Sequence, residues 1–188
     1  ENQSGCKGVC DGPGIRTTKL DASFAPGLCR DAECDDRILV EALLRELDAP
    51  QAGPPRDRVV LLHMMGSHGP AYYRRYPPEF RRFTPDCQTA ELRECSREEV
   101  VNAFDNVILY TDHLLASMIN ALAARADRID SALVYVSDHG ESLGESGLYL
   151  HGVPYAIAPR VQTWVPMIYW QSAGFGTSTG VDATCLRQ

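Results

Sequence analysis

The sequence predicts an α/β domain in which a mostly parallel sheet is flanked by helices. Two segments carry apolar residues at helical spacing, and three short apolar runs lie outside them. The longer helical segment separates the first two runs, and helical crossovers of this kind join parallel strands. Histidines follow both of these runs, where ligands of such sheets gather at the carboxyl ends of the strands.

The first helical segment follows two adjacent acids, Asp35 and Asp36. Apolar residues recur at helical spacing from Ile38 to Leu47. We expect a helix from about Asp36 to Leu47, because an acidic start suits the free N–H groups of a first turn. Glycine and prolines in residues 51–57 end it.

The first apolar run, Val-Val-Leu-Leu at 59–62, is typical of a strand buried on both faces. Ser96 and Glu99 then form a capping-box pattern, which predicts a long helix reaching about Ala126. The second apolar run, Ala132–Val136, and the third, at residues 164–170, predict two further strands. We expect residues 171–188 to form a loop or tail.

Six of the seven cysteines are close neighbours in sequence. The pairs are Cys6 with Cys10, Cys29 with Cys34 and Cys87 with Cys95, which leaves Cys185. This spacing favours three short disulfides, so residues 1–34 are expected to be loops closed by such bonds in an oxidising compartment. A structural zinc held by the first four cysteines is the alternative, although its usual C-x-x-C spacings with nearby histidines are absent.

Composition and the absence of two common motifs narrow the range of possible functions. A chain of 188 residues fits one domain, and its net charge of −7 argues against general affinity for nucleic acid. Neither a phosphate-binding Gly-x-x-x-x-Gly-Lys loop nor a Gly-x-Gly-x-x-Gly turn occurs. Metal-assisted transfer is therefore the leading enzyme class.

Adjacent Asp138 and His139 follow the second apolar run directly, and a carboxylate with an imidazole suits zinc or manganese. The alternative is that Asp138 caps the next segment while His139 fills a polar gap in the core. His68 and His151 lie in glycine-flanked loops, where either could be a binding group or a surface side chain. His63 and His113 are explained by packing or solvation.

Three stretches carry a resemblance to a known family. They are NQSGCKGVC at 2–10, HMMGSHGPAYYRRYPPEFRRFTPDC at 63–87 and YVSDHGESLGESGLYLHGVP at 135–154. They closely resemble the lipid A phosphoethanolamine transferases, which include the mobile colistin-resistance enzymes. The resemblance implies an alkaline-phosphatase or sulfatase-like fold, a zinc cofactor and a periplasmic domain on an N-terminal inner-membrane anchor. A threonine would move phosphoethanolamine from phosphatidylethanolamine to a lipid A phosphate, which confers polymyxin resistance.

By this resemblance the functional residues divide into two sets. Asp138 and His139 match zinc ligands, whereas the remaining residues match the substrate side of the pocket. The substrate side comprises Gln3, Ser4, Lys7, His68 and His151. Either of these two histidines could also protonate a leaving oxygen.

The family places its nucleophilic threonine and a glutamate zinc ligand upstream of the segment matched by residues 2–10, and this chain begins at Glu1. Thr17 and Thr18 follow that segment and lack the family context. We therefore expect a domain incomplete at both ends, which alone binds zinc weakly and is inactive. A sulfatase or phosphodiesterase of the same superfamily, or a non-catalytic lipid- or glycan-binding module, are the alternatives.

Overall fold

The computed structural model describes residues 12–30, 33–50, 53, 56–182 and 184. Helices and strands both occur, so the predicted α/β class is confirmed. The helices are α1 (Arg37–Asp48), α2 (Arg97–Ala123), α3 (Arg160–Thr163) and α4 (Ala173–Thr179). The strands are β1 (Cys29–Arg30), β2 (Glu33–Cys34), β3 (Ala132–Val136), β4 (Ser142–Leu143), β5 (Tyr149–Leu150) and β6 (Met167–Gln171).

The long helix α2 organises the core. Its predicted capping box is present, since Ser96 Oγ accepts the Glu99 N–H and the Glu99 carboxylate accepts the Ser96 N–H. This exchange satisfies donors that the first turn of a helix leaves free. One face of α2 buries Val100, Val107 and Leu114 in the main apolar cluster.

Helix α1 begins and ends within one residue of its predicted bounds and packs Ile38 and Leu39 into a second apolar cluster. Asp36, just before it, is buried and accepts the backbone N–H groups of Met65 at 2.9 Å and Gly66 at 2.7 Å. One carboxylate thus ties the start of α1 to the loop that leads to His68.

All three strand pairs in the described residues are antiparallel, so the expectation of parallel order is wrong for these strands. The longest pair joins β3 to β6, from Ala132 opposite Gln171 to Val136 opposite Met167. Residues 137–166 connect them with only the four-residue α3 as an α-helix. Without a long helical crossover the chain returns in the opposite direction.

The run at residues 59–62, predicted to be a buried strand, pairs with no strand among the described residues. Val59 is 99% and Leu61 75% exposed. A strand needs hydrogen-bonding neighbours, and the described part of the chain supplies none here.

Residues 171–188 were expected to form a loop or tail, but they contain α4, so this expectation is wrong for Ala173–Thr179. Gln171 closes β6, and Ser172 Oγ then accepts the Phe175 N–H at 3.2 Å as an N-cap. Gly180 at φ +71° ends the helix, a backbone conformation that glycine adopts without strain. A local cap signal was therefore present in the sequence.

Two of the predicted disulfides are confirmed. Cys29 and Cys34 link β1 to β2, which removes them from the alternative zinc site, and Cys87 with Cys95 closes the loop before α2. Cys6, Cys10 and Cys185 lie outside the described residues. Within the described ranges, no helix combines the length and apolarity of a membrane span.

Candidate functional site

Three histidines from separate loops converge in one place. His68 follows residues 56–65, which form no helix or strand, His139 follows β3, and His151 follows β5. The ring centroids of His139 and His151 are 3.8 Å apart, and those of His68 and His151 are 5.2 Å apart. The structure thus brings together three of the residues that the sequence singled out.

In each of these three imidazoles, Nδ1 faces a hydrogen-bond acceptor oxygen. The Nδ1 atoms face the carbonyl oxygen of Gly69 (2.7 Å, His68), the carbonyl oxygen of Gly140 (3.0 Å, His139) and Glu141 Oε1 (2.9 Å, His151). These oxygens accept only, so Nδ1 donates in each pair and Nε2 is left for another partner. Metal-binding histidines are commonly held in this manner.

Sequence reasoning missed Glu141, which lies two residues beyond His139. Its side chain is only 3% exposed, and its Oε2 accepts a long hydrogen bond from the Tyr72 hydroxyl at 3.4 Å. Burial, and next the charge of Glu141, raise the pKa of the Tyr72 phenol far above its ordinary value, so this hydroxyl stays a donor. The available signal was spacing, because positions i and i+2 share a face in extended chain.

Asp138 differs from Glu141 in exposure. Its side chain is 85% exposed, and Oδ1 accepts the backbone N–H of His139 at 3.0 Å. This bond reaches only the adjacent residue and caps no following helix, and Asp138 lines an open cavity of about 330 Å³. Asp138, His139, His151, Tyr155, Gln162 and Thr163 are among its lining residues.

A buried glutamine holds the loops of this cavity together. Gln162 accepts the Gly140 N–H at 3.0 Å through its backbone, and its amide donates to Ser142 Oγ at 2.8 Å and the Leu150 carbonyl at 3.0 Å. A Cβ at position 140 would overlap the Val161 carbonyl oxygen. Glycine is thus required where the His139 loop meets α3.

The remaining predicted residues lie elsewhere. His113 packs on Phe80 with ring centroids 4.9 Å apart, and His63 is exposed outside the cluster. Thr17 and Thr18 are exposed. The substrate-side candidates Gln3, Ser4 and Lys7 lie outside the described residues.

The donor set fits a divalent metal. Ligand atoms of His139, Glu141 and His151 all lie within 4.8 Å of one another. Imidazole nitrogens with a carboxylate oxygen are ligands that zinc prefers, and a hydrogen-bonded Nδ1 orients each ring. The described residues therefore contain a group able to bind a metal.

Known proteins are similar to this chain in sequence and fold. The sequence profile of the sulfatase family, described as Sulfatase, matches residues 1–184. Phosphoethanolamine transferase EptA of Salmonella typhimurium is 46% identical over the whole chain, and phosphatidylethanolamine transferase Mcr-1 of Escherichia coli is 38% identical over 99% of it. The chain spans 33% and 35% of these relatives, respectively.

Among solved structures, the soluble domain of lipooligosaccharide phosphoethanolamine transferase A from Neisseria meningitidis matches with a TM-score of 0.90 and 46% identity. The match covers all of this chain and 54% of that domain. The resemblance predicted from the sequence is confirmed, and the chain belongs to the sulfatase family.

Proposed function

We propose that a full-length protein containing this chain transfers phosphoethanolamine from phosphatidylethanolamine to a lipid A phosphate. It would act in the periplasm as part of a bacterial inner-membrane protein and confer polymyxin resistance. The observation that carries the proposal is the convergence of His68, His139 and His151 in a chain 46% identical to a phosphoethanolamine transferase. The name of the Mcr-1 relative, a phosphatidylethanolamine transferase, supports this choice of donor, and the name of the Neisseria relative supports a lipooligosaccharide acceptor.

Asp138 and His139 would hold the zinc of this enzyme. His139 already turns Nδ1 to a carbonyl oxygen, and Asp138 offers a solvent-facing carboxylate beside it. Bound zinc would lower the pKa of a hydroxyl and make an oxygen nucleophile near neutral pH. By resemblance, the nucleophilic threonine and a glutamate ligand would come from residues that precede this chain.

His68 and His151 would act on the substrate side. Their rings are close enough to contact one phosphoryl group together, and either could give a proton to the diacylglycerol oxygen that leaves the donor. Lys7, with Gln3 and Ser4 beside it, would line the same pocket, where its positive charge offsets charge on the phosphoryl oxygens.

The isolated chain is expected to bind zinc weakly, because two predicted ligands are fewer than the four that zinc usually takes. Metal content after dialysis tests this expectation. Stoichiometric zinc that survives dialysis would contradict it and would favour His139, Glu141 and His151 as a ligand set within the chain.

A second candidate is sulfate-ester or phosphodiester hydrolysis, favoured by the sulfatase family profile over residues 1–184. Purified full-length protein should be assayed with fluorescent phosphatidylethanolamine plus lipid A, and separately with an aryl sulfate and a phosphodiester. Transfer to lipid A supports our proposal. Hydrolysis of a sulfate ester or phosphodiester without transfer would assign the second candidate.

The chain offers a matched control for the two proposed zinc ligands, Asp138 and His139. Asp112 and His113 are also adjacent and exposed, but they lie on α2 away from the cavity. Replacing Asp138 and His139 by alanine should lower transfer about 100-fold or more, on the scale of lost acid–base or metal catalysis. The same change at positions 112 and 113 should leave transfer intact. Unchanged transfer without Asp138 and His139 would favour the non-catalytic binding module.

A further inference from the structure

Glu141 is the most buried carboxylate near the histidine cluster in the described residues, with a side chain only 3% exposed. It sits between two partners, His151 Nδ1 at 2.9 Å and the Tyr72 hydroxyl at 3.4 Å. A buried carboxylate needs hydrogen-bond donors, because an unpaired buried charge strongly destabilises the folded state. These two donors explain how Glu141 is retained inside the protein.

Tyr72 belongs to the core around α2. It is 1% exposed and meets the Phe104 ring edge-on with centroids 5.5 Å apart. Its hydroxyl also lies close to Gly69, where an added Cβ would come within 2.9 Å of that oxygen. The core therefore fixes Tyr72, and Tyr72 contacts both Glu141 and the loop that carries His68.

Because a carboxylate accepts hydrogen bonds, Glu141 selects the orientation in which His151 donates through Nδ1. The other ring nitrogen, Nε2, is then the one available to a substrate in the cavity that His151 lines. A ring without this partner could turn over or shift, and displacements of about 1 Å can cost 100-fold in rate.

We propose that Glu141, supported by Tyr72, is a positioning residue that acts through His151 and keeps Nε2 of that ring turned to the substrate. The catalytic consequence rests on the proposed function, whereas the geometry can be tested without any activity. Glu141 contacts no reacting atom in this proposal, so its effect must pass through His151.

The first test uses ¹⁵N-labelled chain and NMR. A hydrogen-bonded His151 Nδ1 proton should give a downfield, slowly exchanging resonance, which should be lost in Glu141→Ala. In Glu141→Gln it should persist but move upfield, because a neutral acceptor bonds more weakly. Glu145→Gln is the control, since Glu145 pairs with Arg97 and not with a histidine. Absence of the resonance in the parent chain, or its persistence in a folded Glu141→Ala variant, would overturn the proposal.

The second test is a double-mutant cycle in full-length protein. Glu141→Ala should lower kcat for phosphoethanolamine transfer about 10- to 100-fold with little change in KM, the scale seen for residues that orient site histidines. In a His151→Ala background the same change should cost less than about 2-fold. An equal loss in both backgrounds would overturn the proposal, because Glu141 would then act independently of His151.

Tyr72→Phe should reproduce part of the Glu141 effect, since it removes one of the two donors. Tyr76→Phe is its control, a buried tyrosine whose hydroxyl donates to Asp86 instead. Equal losses in the two phenylalanine variants would contradict the assigned role of Tyr72. If the NMR signature is present but the full-length protein transfers nothing, the positioning geometry stands and the proposed function fails.

Discussion

Around α2 the apolar side chains are almost fully buried, whereas along β3 and β6 many are exposed. Val100, Val107 and Leu114 are at most 2% exposed, but Val136 is 57% and Met167 73% exposed. In the helical region the described residues thus enclose the apolar side chains in a buried core. The strand region has an apolar face that the described residues do not cover.

The cavity lies in the strand region but is anchored to the helical one. The loop of Glu141 and His151 reaches the core through Tyr72, which contacts Glu141, and Asp36 holds the neighbouring loop before His68. Stability and function are therefore expected to separate in part, since the core around α2 determines folding and the loops determine chemistry. Four predictions test this contrast.

The largest effect is expected in the helical core. Leu114→Ala removes a buried side chain and should lower the free energy of unfolding by about 2–5 kcal/mol. Ile108→Ala on the same helix is the control, because that side chain is 45% exposed and should cost less than about 1 kcal/mol. Urea unfolding followed by circular dichroism measures both, and equal costs would contradict a completed core around α2.

A smaller effect is expected where the cavity loop meets α3. Gly140→Ala forces a Cβ against the Val161 carbonyl oxygen and should cost about 1–3 kcal/mol, with increased hydrogen exchange in the His139 loop. Gly27→Ala is the control, since nothing lies within 4 Å of a Cβ there. Unchanged exchange near His139 would show that this contact does not hold the loop.

The Arg81–Asp86 pair should give a pH-dependent effect. Burial alone would raise the pKa of Asp86, but the Arg81 guanidinium at 2.6 Å and the Tyr76 hydroxyl outweigh it and keep this pKa below its ordinary value. A lowered carboxyl pKa stabilises the fold above about pH 4, and that contribution is lost as the pH falls through the folded pKa.

Arg81→Met should therefore unfold at lower urea than the parent near neutral pH, with the gap closing as the medium becomes more acidic than the ordinary Asp pKa. Arg93→Met, at an exposed arginine outside this pair, is the control and should show no such trend. Urea midpoints measured across the acidic range decide the question. A gap independent of pH would mean that Arg81 acts by packing and not by its charge.

The smallest effect is expected on the uncovered strand face. Val136→Thr keeps a β-branched side chain at an exposed position and should change the free energy of unfolding by no more than about 0.5 kcal/mol. It should also reduce self-association in sedimentation experiments, because exposed apolar patches favour contact between molecules. A cost comparable to that of Leu114→Ala would show that this face is covered after all.

Local signals in the sequence predicted structure well. The capping box at Ser96 and Glu99 needs only residues three apart, and α2 begins where it indicates. The run at 59–62 gave an equally clear apolar signal, but a strand depends on partners distant in sequence. The antiparallel pairing of β3 with β6 likewise depends on the path of residues 137–166, which periodicity does not specify.

The site was predictable in part for the same reason. His68 and His139 follow apolar runs, and that position alone suggested that they meet. Spacing placed Glu141 near His139, but its burial could not be predicted, because the adjacent Gly140 is held by Gln162, more than 20 residues away in sequence. The structure of these loops, and not the sequence, shows that Glu141 is buried while Asp138 faces solvent.

A substitution at Asp36 would affect the loop that carries His68, although the two positions are distant in sequence. Its carboxylate serves two amides of the loop before His68, although position 36 belongs to the start of α1. A change there would be classified as a helix-start substitution in a survey of natural variants. It would nevertheless shift His68, so surveys of variants in this family should score position 36 together with the pocket.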